Sequence, residues 1–147
     1  MEELSTIPTP CTTKIQALRD SIAQIIVGQT QATDLLLTSV IARGHVLIEG
    51  VPGVAKTLLA RVMAQLIDAR FSRVQFTPDL MPSDVLGTTV YNMKTGDFDF
   101  HPGPVFADVV LADEINRAPA KTQAALFEVM EERQVTVDGT PRAMSDV

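Results

Sequence analysis

The sequence is poor in cysteine and aromatic residues, and it has no long apolar run. A single cysteine, Cys11, stands in 147 residues, so no disulfide can form within the chain and a reducing compartment is expected. No apolar stretch approaches the ~20 residues of a membrane span. The acidic start Met1-Glu2-Glu3 is unlike a signal peptide. These absences predict a soluble protein of the cytoplasm.

Basic residues are also scarce, with 12 Lys and Arg against 18 Asp and Glu and a net charge of −6. No basic patch of the kind that binds nucleic acid non-specifically stands out, so we expect no nucleic-acid partner. Hydrophobic residues make up 46% of the chain and charged residues 20%. This is the composition of one modest globular domain.

The apolar spacing predicts helices alternating with short strands, and therefore an α/β fold with a parallel sheet. Residues 1–12 are expected to be a flexible lead-in, followed by a capping box at Thr13-Lys14-Ile15-Gln16 and a helix over 13–26. The other predicted elements are helices over 29–43, 56–69 and from Pro119, a helical turn that Gly87 stops, strands at 45–49, 73–76, 109–112 and 135–137, a hairpin over 88–100 and a turn at 139–141.

A short apolar run, a loop rich in Gly and Pro, and then Lys-Thr predict a phosphate-binding loop. Loop glycines let backbone N–H groups point at an anion, and the N-terminus of the next helix adds its positive dipole end. Lys56 is expected to reach the β- and γ-phosphates, and the Thr57 hydroxyl to bind Mg²⁺. The plainer interpretation is a turn into an ordinary helix. The predicted nucleotide-binding residues here are Gly50, Val51, Pro52, Gly53, Val54, Ala55, Lys56, Thr57 and Leu58.

A second motif is the apolar run at 109–112 that ends in two carboxylates, Asp113 and Glu114. Alone, this pattern is most simply the polar end of a strand. Together with a phosphate-binding loop it predicts that Asp113 holds Mg²⁺ and that Glu114 orients and polarises the attacking water. The predicted catalytic residues are therefore Glu114 and Lys56, and the predicted metal residues are Thr57 and Asp113.

These two motifs resemble those of AAA+ ATPases, although Ala55 stands where the usual loop has glycine before the lysine. Three further stretches narrow the resemblance to the MoxR group, in which Ala at this position is common. They are Gln75-Phe76-Thr77-Pro78-Asp79-Leu80-Met81-Pro82-Ser83-Asp84, Gly103-Pro104-Val105-Phe106-Ala107, and the segment from Ala112-Asp113-Glu114-Ile115-Asn116-Arg117 to Val135.

The resemblance implies a P-loop NTPase three-layer sandwich, with ATP and Mg²⁺ as cofactors. It places Val27 and Gly28 against adenine and makes residues 88–102 an insertion that faces the pore of a hexameric ring. It also implies a chaperone-like ATPase that remodels partner proteins, possible clients being proteins with von Willebrand factor A domains. Arg117 is expected either to contact a neighbouring subunit or to be a solvated arginine. Neither His45 nor His101 has a Cys or carboxylate at metal-ligand spacing, and His45, at a predicted strand start, is interpreted as structural.

The resemblance also implies that residues 13–147 form only a partial AAA+ core. The sensor-1 strand, the arginine finger and the helical lid of the family would all follow residue 147. The strand that normally lies between the phosphate-loop strand and the Asp-Glu strand is among them, and its loss leaves unpaired backbone groups. The alternative function is therefore a nucleotide-binding or interaction fragment without turnover. A P-loop kinase or GTPase is disfavoured by the Asp-Glu pair and by the absence of an Asn-Lys-x-Asp motif.

Overall fold

A computed structural model describes residues 10–49 and 56–144, which fall into two compact units, Met1–Leu66 and Ile67–Val147. The described part of the first unit is helical, with α1 at Pro10–Ile25, α2 at Thr30–Ile41 and α3 at Lys56–Leu66. Apolar side chains buried in this unit are Ile22, Ile26, Leu37, Leu59, Ala60, Val62, Met63 and Ala64. No helix in the described part of the chain combines the length and the apolar character that a membrane span requires.

The first helix begins earlier than the sequence pattern indicated. Helix α1 starts at Pro10, so the predicted capping box at residues 13–16 lies inside the helix and is wrong. Proline is favoured at the first helical position because its fixed φ already suits the helix. Pro10 was therefore the better start signal. The rest of the predicted lead-in, residues 1–9, lies outside the described residues.

The predicted strand at 45–49 is not formed. These residues are irregular, and no described strand pairs with them. The side chain of Leu47 is 78% exposed. A lone extended segment has no ladder partner for its N–H and C=O groups, so the apolar pattern alone cannot hold it as a strand. The predicted strand–helix–strand unit over 45–76 is therefore absent from the described residues.

The second unit contains the parallel sheet. Strand β1 (Phe71–Gln75) pairs in parallel with β4 (Val109–Asp113), from Phe71 opposite Val109 to Gln75 opposite Asp113. This confirms the α/β class with parallel strands. The even side of β1 carries buried Val74, which packs in a core together with Val110 and Ala112 from β4. Its odd side carries Arg73 and Gln75, because successive strand residues face opposite ways.

Two helices cover the core side of this unit. Helix α4 (Pro82–Leu86) and helix α5 (Ala120–Glu132) are in contact, and α5 buries Thr122, Leu126 and Val129 at helical spacing. Asp84 accepts a hydrogen bond from the Met81 N–H at 2.8 Å and so caps the start of α4. The core residues around them are Val74, Phe76, Val85, Val105, Ala118, Leu126, Val129 and Val135.

The predicted hairpin is confirmed. Strands β2 (Gly87–Asn92) and β3 (Asp97–Pro102) pair antiparallel, and the Gly96 N–H donates to the Asn92 carbonyl at 2.9 Å in the turn. The second strand continues through Pro102, two residues beyond the predicted end of the hairpin at residue 100. Pro102 is the last strand residue, where a missing N–H is tolerated.

A second hairpin was partly missed. Strands β5 (Gln134–Val137) and β6 (Thr140–Ala143) are joined by only Asp138 and Gly139, both with positive φ. The predicted turn at 139–141 is therefore wrong, because Thr140 and Pro141 belong to β6. Asp-Gly between two strands is a strong signal for a two-residue turn with positive φ at both positions.

One buried hydroxyl fixes the loop after β1 to α5. Thr122 is 1% exposed, and its hydroxyl donates to the Leu80 carbonyl at 2.7 Å. We expect Thr122→Val to lower the free energy of unfolding by about 1–3 kcal/mol, since the carbonyl is left without its partner. Chemical denaturation measures this. The matched control is Thr38→Val, which removes a similar bond from an exposed helical hydroxyl to the Asp34 carbonyl. Equal losses in the two variants would contradict the assigned role.

Candidate functional site

The start of α3 carries the basic and hydroxyl residues of the predicted phosphate site. Lys56, Thr57 and Leu58 are the first three residues of this helix, and the first two are half-buried. The first N–H groups of a helix have no partner within it, so they are available to an anion. Helix α3 begins at Lys56, as the sequence predicted, and ends at Leu66, three residues before the predicted end.

The predicted loop residues Gly50, Val51, Pro52, Gly53, Val54 and Ala55 lie outside the described residues. The predicted adenine segment is described and belongs to the same unit as α3. Val27 follows α1 and is 87% exposed, and Gly28 has φ +83° with open space beside it. An exposed apolar side chain next to a glycine suits a flat ring. The adenine contact stays a prediction.

The second group of predicted residues lies in the other compact unit. Asp113 is the last residue of β4, at the carboxyl end of the parallel pair, and Glu114 follows it directly. In open parallel sheets, ligands bind outside the carboxyl ends of the strands. The Phe76 N–H donates to the Asp113 carbonyl at 2.9 Å, so the strand pairing extends to this position.

The backbone of Glu114 is in the left-handed conformation, with φ 59° and ψ 38°. This conformation costs a residue with a side chain about 1–2 kcal/mol. The chain leaves β4 through Glu114 into a 3-10 turn at Ile115–Arg117, where the Arg117 N–H donates to the Glu114 carbonyl at 2.9 Å. Four other described non-glycine residues, Arg43, Asp68, Arg133 and Asp138, also have positive φ, and Glu114 is the one that directly follows a strand of the parallel pair. The carboxylate of Glu114 is exposed at the sheet edge.

The sequence prediction missed Arg73 as a partner of this site. Its Nη2 lies 2.6 Å from Asp113 Oδ2 and also donates to Gln75 Oε1 at 3.0 Å. Arg73 faces Leu111 in the register, so it reaches Asp113 diagonally across the strands. The signal in the sequence is a cation within a strand, two residues before its end. Only the parallel register, which no local pattern fixes, shows that it meets Asp113.

A different ion pair holds the amino ends of the same two strands. Arg70 Nε and Nη2 donate to the two carboxylate oxygens of Asp108 at 3.0 and 2.7 Å. The Arg70 backbone N–H also donates to Asp108, at 2.8 Å. The hydrogen bond and then the charge of Asp108 raise the pKa of Arg70 above its ordinary value. This closed arrangement ties the two strand starts together.

The loop that follows β1 carries a further carboxylate, Asp79. A hydrogen bond from the Thr77 side chain, and then one from the backbone N–H of Asp79 itself, lower the pKa of Asp79 below its ordinary value. Asp79 is therefore ionised at neutral pH.

The oxygen ligands among the described residues suit a cation that is bound together with a phosphate substrate. Residues 10–49 and 56–144 contain no cluster of three or more His, Cys, Asp or Glu side chains that could hold a metal alone. Mg²⁺ is usually bound by one or two carboxylates together with substrate phosphates and water. The half-exposed Asp113 carboxylate at a strand end supplies the oxygen ligand that such a site needs.

The chain is similar to AAA ATPases both in sequence and in structure. The sequence profile of the ATPase family associated with various cellular activities (AAA) matches residues 45–147. Chaperone MoxR1 of Mycobacterium tuberculosis is 53% identical over 118 residues, and YeaC of Bacillus subtilis is 51% identical over 127. A crystal structure of a candidate ATPase from Cytophaga hutchinsonii is 46% identical, with a TM-score of 0.80 over 91% of this chain.

The chain covers only part of each of these proteins. The match to MoxR1 spans 80% of this chain but 31% of MoxR1. The match to YeaC spans 86% of this chain but 40% of YeaC. This chain covers 41% of the Cytophaga chain. The match extends over both compact units and includes the Asp113-Glu114 strand.

Proposed function

The chain belongs to the MoxR group of the AAA+ ATPases, and we propose that it binds ATP and hydrolyses it with Mg²⁺ through Lys56, Thr57, Asp113 and Glu114. The observation that carries this proposal is the Asp113-Glu114 pair at the carboxyl end of a parallel strand, with Glu114 held in a left-handed backbone conformation. Family membership supports nucleotide binding in general. The particular reaction and its residues are the proposal.

Each residue has a distinct role in the proposed reaction. Lys56 neutralises charge on the β- and γ-phosphates, while the first N–H groups of α3 bind the phosphate oxygens. Thr57 and Asp113 hold Mg²⁺, which when bound offsets negative charge on the phosphates. Glu114 accepts a proton from the attacking water and orients it. Val27 and Gly28 contact the adenine ring.

We also propose that the whole protein acts as a chaperone-like hexameric ring in the cytoplasm. The name of the MoxR1 relative supports a chaperone role. The hairpin over 87–102 supports a protein contact, because its tip exposes Met93 at 89% and Phe98 at 72%. Proteins with von Willebrand factor A domains are the proposed clients, and no nucleic-acid partner is proposed.

One observation favours the second candidate, a module that binds nucleotide without turnover. Residues 45–49, which lead into the phosphate loop, have no strand partner among the described residues. A phosphate loop on an unpaired segment can bind an anion while its water-activating partner is poorly placed. Arginine fingers from neighbouring subunits are worth about 10³–10⁵ in rate, so an isolated chain would also lack this contribution.

The test of the proposed phosphate site is Lys56→Ala. We expect this variant to lose affinity for Mg·ATP by about a hundredfold, because a charge-assisted contact to phosphate is removed. Equilibrium titration with a fluorescent ATP analogue measures the change. Lys121→Ala is the matched control, since Lys121 is an exposed lysine in the first turn of α5.

The same titration separates the remaining alternatives. Wild type and Lys121→Ala should bind alike, and unlabelled ATP should displace the analogue better than GTP. Displacement by GTP at equal or lower concentration would favour a GTPase. Unchanged affinity in Lys56→Ala would refute the assigned phosphate site.

A further inference from the structure

Two ion pairs join β1 and β4, one between the residues just before the strands and one near the strand ends, and the pairs differ in kind. The Arg70 guanidinium donates hydrogen bonds to both carboxylate oxygens of Asp108, and the Arg70 backbone N–H donates a third. Arg73 touches a single oxygen of Asp113 through one nitrogen, and the same nitrogen donates to Gln75. The first pair is a closed structural clamp. The second is a single contact that leaves room at the carboxylate.

The second contact is also open to solvent. The side chain of Arg73 is 45% exposed and that of Asp113 is 31% exposed. Exposed single-contact pairs contribute about 0–1 kcal/mol to stability. The contact between Arg73 and Asp113 therefore contributes little to the pairing of the two strands. Its charge beside the predicted metal residue is the feature to explain.

We propose that Arg73 is a positioning residue that serves as the counter-ion of Asp113 until a divalent cation replaces its contact. This inference rests on the proposed function, in which Asp113 holds Mg²⁺. In the metal-free chain the guanidinium holds Oδ2 of Asp113 and offsets its charge. When a cation binds the carboxylate, the guanidinium turns away toward Gln75 and solvent.

The proposal makes Arg73 a competitor of the cation. A fixed positive charge a few ångströms from the carboxylate repels a second cation there, even in a partly aqueous setting. Removing that charge should therefore strengthen cation binding at Asp113 by about five- to tenfold. A purely structural arginine would have the opposite effect, because losing it would loosen the strand end and weaken binding.

The test uses Mn²⁺ alone as the probe, with the full 147-residue chain and no nucleotide. Mn²⁺ broadens the NMR signals of nearby backbone amides, so signals of residues 112–114 report occupation of the carboxylate. We expect Arg73→Gln to reach half-broadening at about five- to tenfold lower Mn²⁺ than wild type. Arg70→Gln is the matched control, because it removes the same charge from the residue just before the same strand and should leave the midpoint unchanged.

Further variants make every outcome informative. Arg73→Lys should keep the wild-type midpoint, and Arg73→Met is a second neutral variant that preserves the aliphatic stem. Asp113→Asn should abolish the local broadening. An unchanged or higher midpoint in both neutral variants overturns the proposal. The proposal is also overturned if wild type shows no broadening, or if Asp113→Asn shows the same broadening as wild type. The Mn²⁺ experiment contains no nucleotide. A failure of the proposed Lys56 site in the ATP titration can therefore be distinguished from a failure of the proposed role of Arg73.

Discussion

Replacing Glu114 with glutamine is expected to lower ATP turnover by about 10²–10⁴-fold, which is the range for loss of a general base. Affinity for Mg·ATP should stay at the wild-type value, because the amide keeps the shape of the side chain and Glu114 does not hold the phosphates. Phosphate release under saturating Mg·ATP measures turnover, and the fluorescent-analogue titration measures affinity. Glu131→Gln, on the exposed side of α5, is the matched control.

A second substitution at this position separates catalysis from stability. Glycine adopts the left-handed conformation of Glu114 without steric cost, so Glu114→Gly should raise the free energy of unfolding by about 1 kcal/mol. It should also remove turnover as fully as Glu114→Gln does. Higher stability together with lost turnover in Glu114→Gly would mean that the side chain serves the reaction at a cost in stability.

Other outcomes have clear meanings. Equal turnover in wild type and Glu114→Gln would remove the role assigned to this carboxylate. No detectable turnover in either protein, with affinity intact, would favour the module that binds without hydrolysing. Lower stability in Glu114→Gly would mean that the side chain contributes to folding.

Replacing Gly103 with alanine is expected to lower the stability of the second unit by more than about 3 kcal/mol, beyond the usual cost of overpacking. A Cβ atom at this position would lie 2.3 Å from the Val85 carbonyl oxygen and 2.4 Å from the Gly87 nitrogen. Both are backbone atoms at the junction of α4 and β2, so neither can rotate aside. The Gly103 N–H also donates to the Leu86 carbonyl, and that bond would be lost.

Alanine substitutions at Gly96 and Gly44 are the controls for the effect of close contact between the added Cβ atom and the backbone. Gly96 has φ +77° with open space around it, so Gly96→Ala should cost only about 1 kcal/mol of backbone strain. At Gly44 the nearest atom to an added Cβ is the Ser39 carbonyl oxygen at 3.8 Å, and Gly44→Ala should change stability by less than about 0.5 kcal/mol. Denaturant unfolding of the three variants measures the order. A loss in Gly103→Ala no larger than that in Gly96→Ala would contradict the packing argument.

The elements predicted correctly from the sequence have strong local signals. Val109–Asp113 is a run of small and β-branched residues, and α5 shows a clear helical period, so both were expected within a residue or two. The hairpin around Gly96 also has a local turn signal. Local patterns work where the segment and its immediate neighbours determine the structure.

The errors have non-local causes or come from overlooked turn chemistry. The segment at 45–49 has an excellent strand pattern, but a strand requires a partner and none of the described strands supplies one. The signal for the Asp138-Gly139 turn was in the sequence, but the predicted turn began one residue late and ended two residues late. Arg73 could not be assigned, because its contact with Asp113 depends on the parallel register of strands 40 residues apart in sequence.

The most direct test of the central claim is thermal unfolding of the wild-type chain with and without Mg·ATP. At a nucleotide concentration of about a hundred times Kd, binding adds about 2.7 kcal/mol, which raises Tm by about 5–10 °C for a chain of this size. We expect that rise in wild type and its absence in Lys56→Ala. The same Tm with and without Mg·ATP in wild type, or an equal rise in Lys56→Ala, would contradict the claim that this chain carries an ATP site built on Lys56.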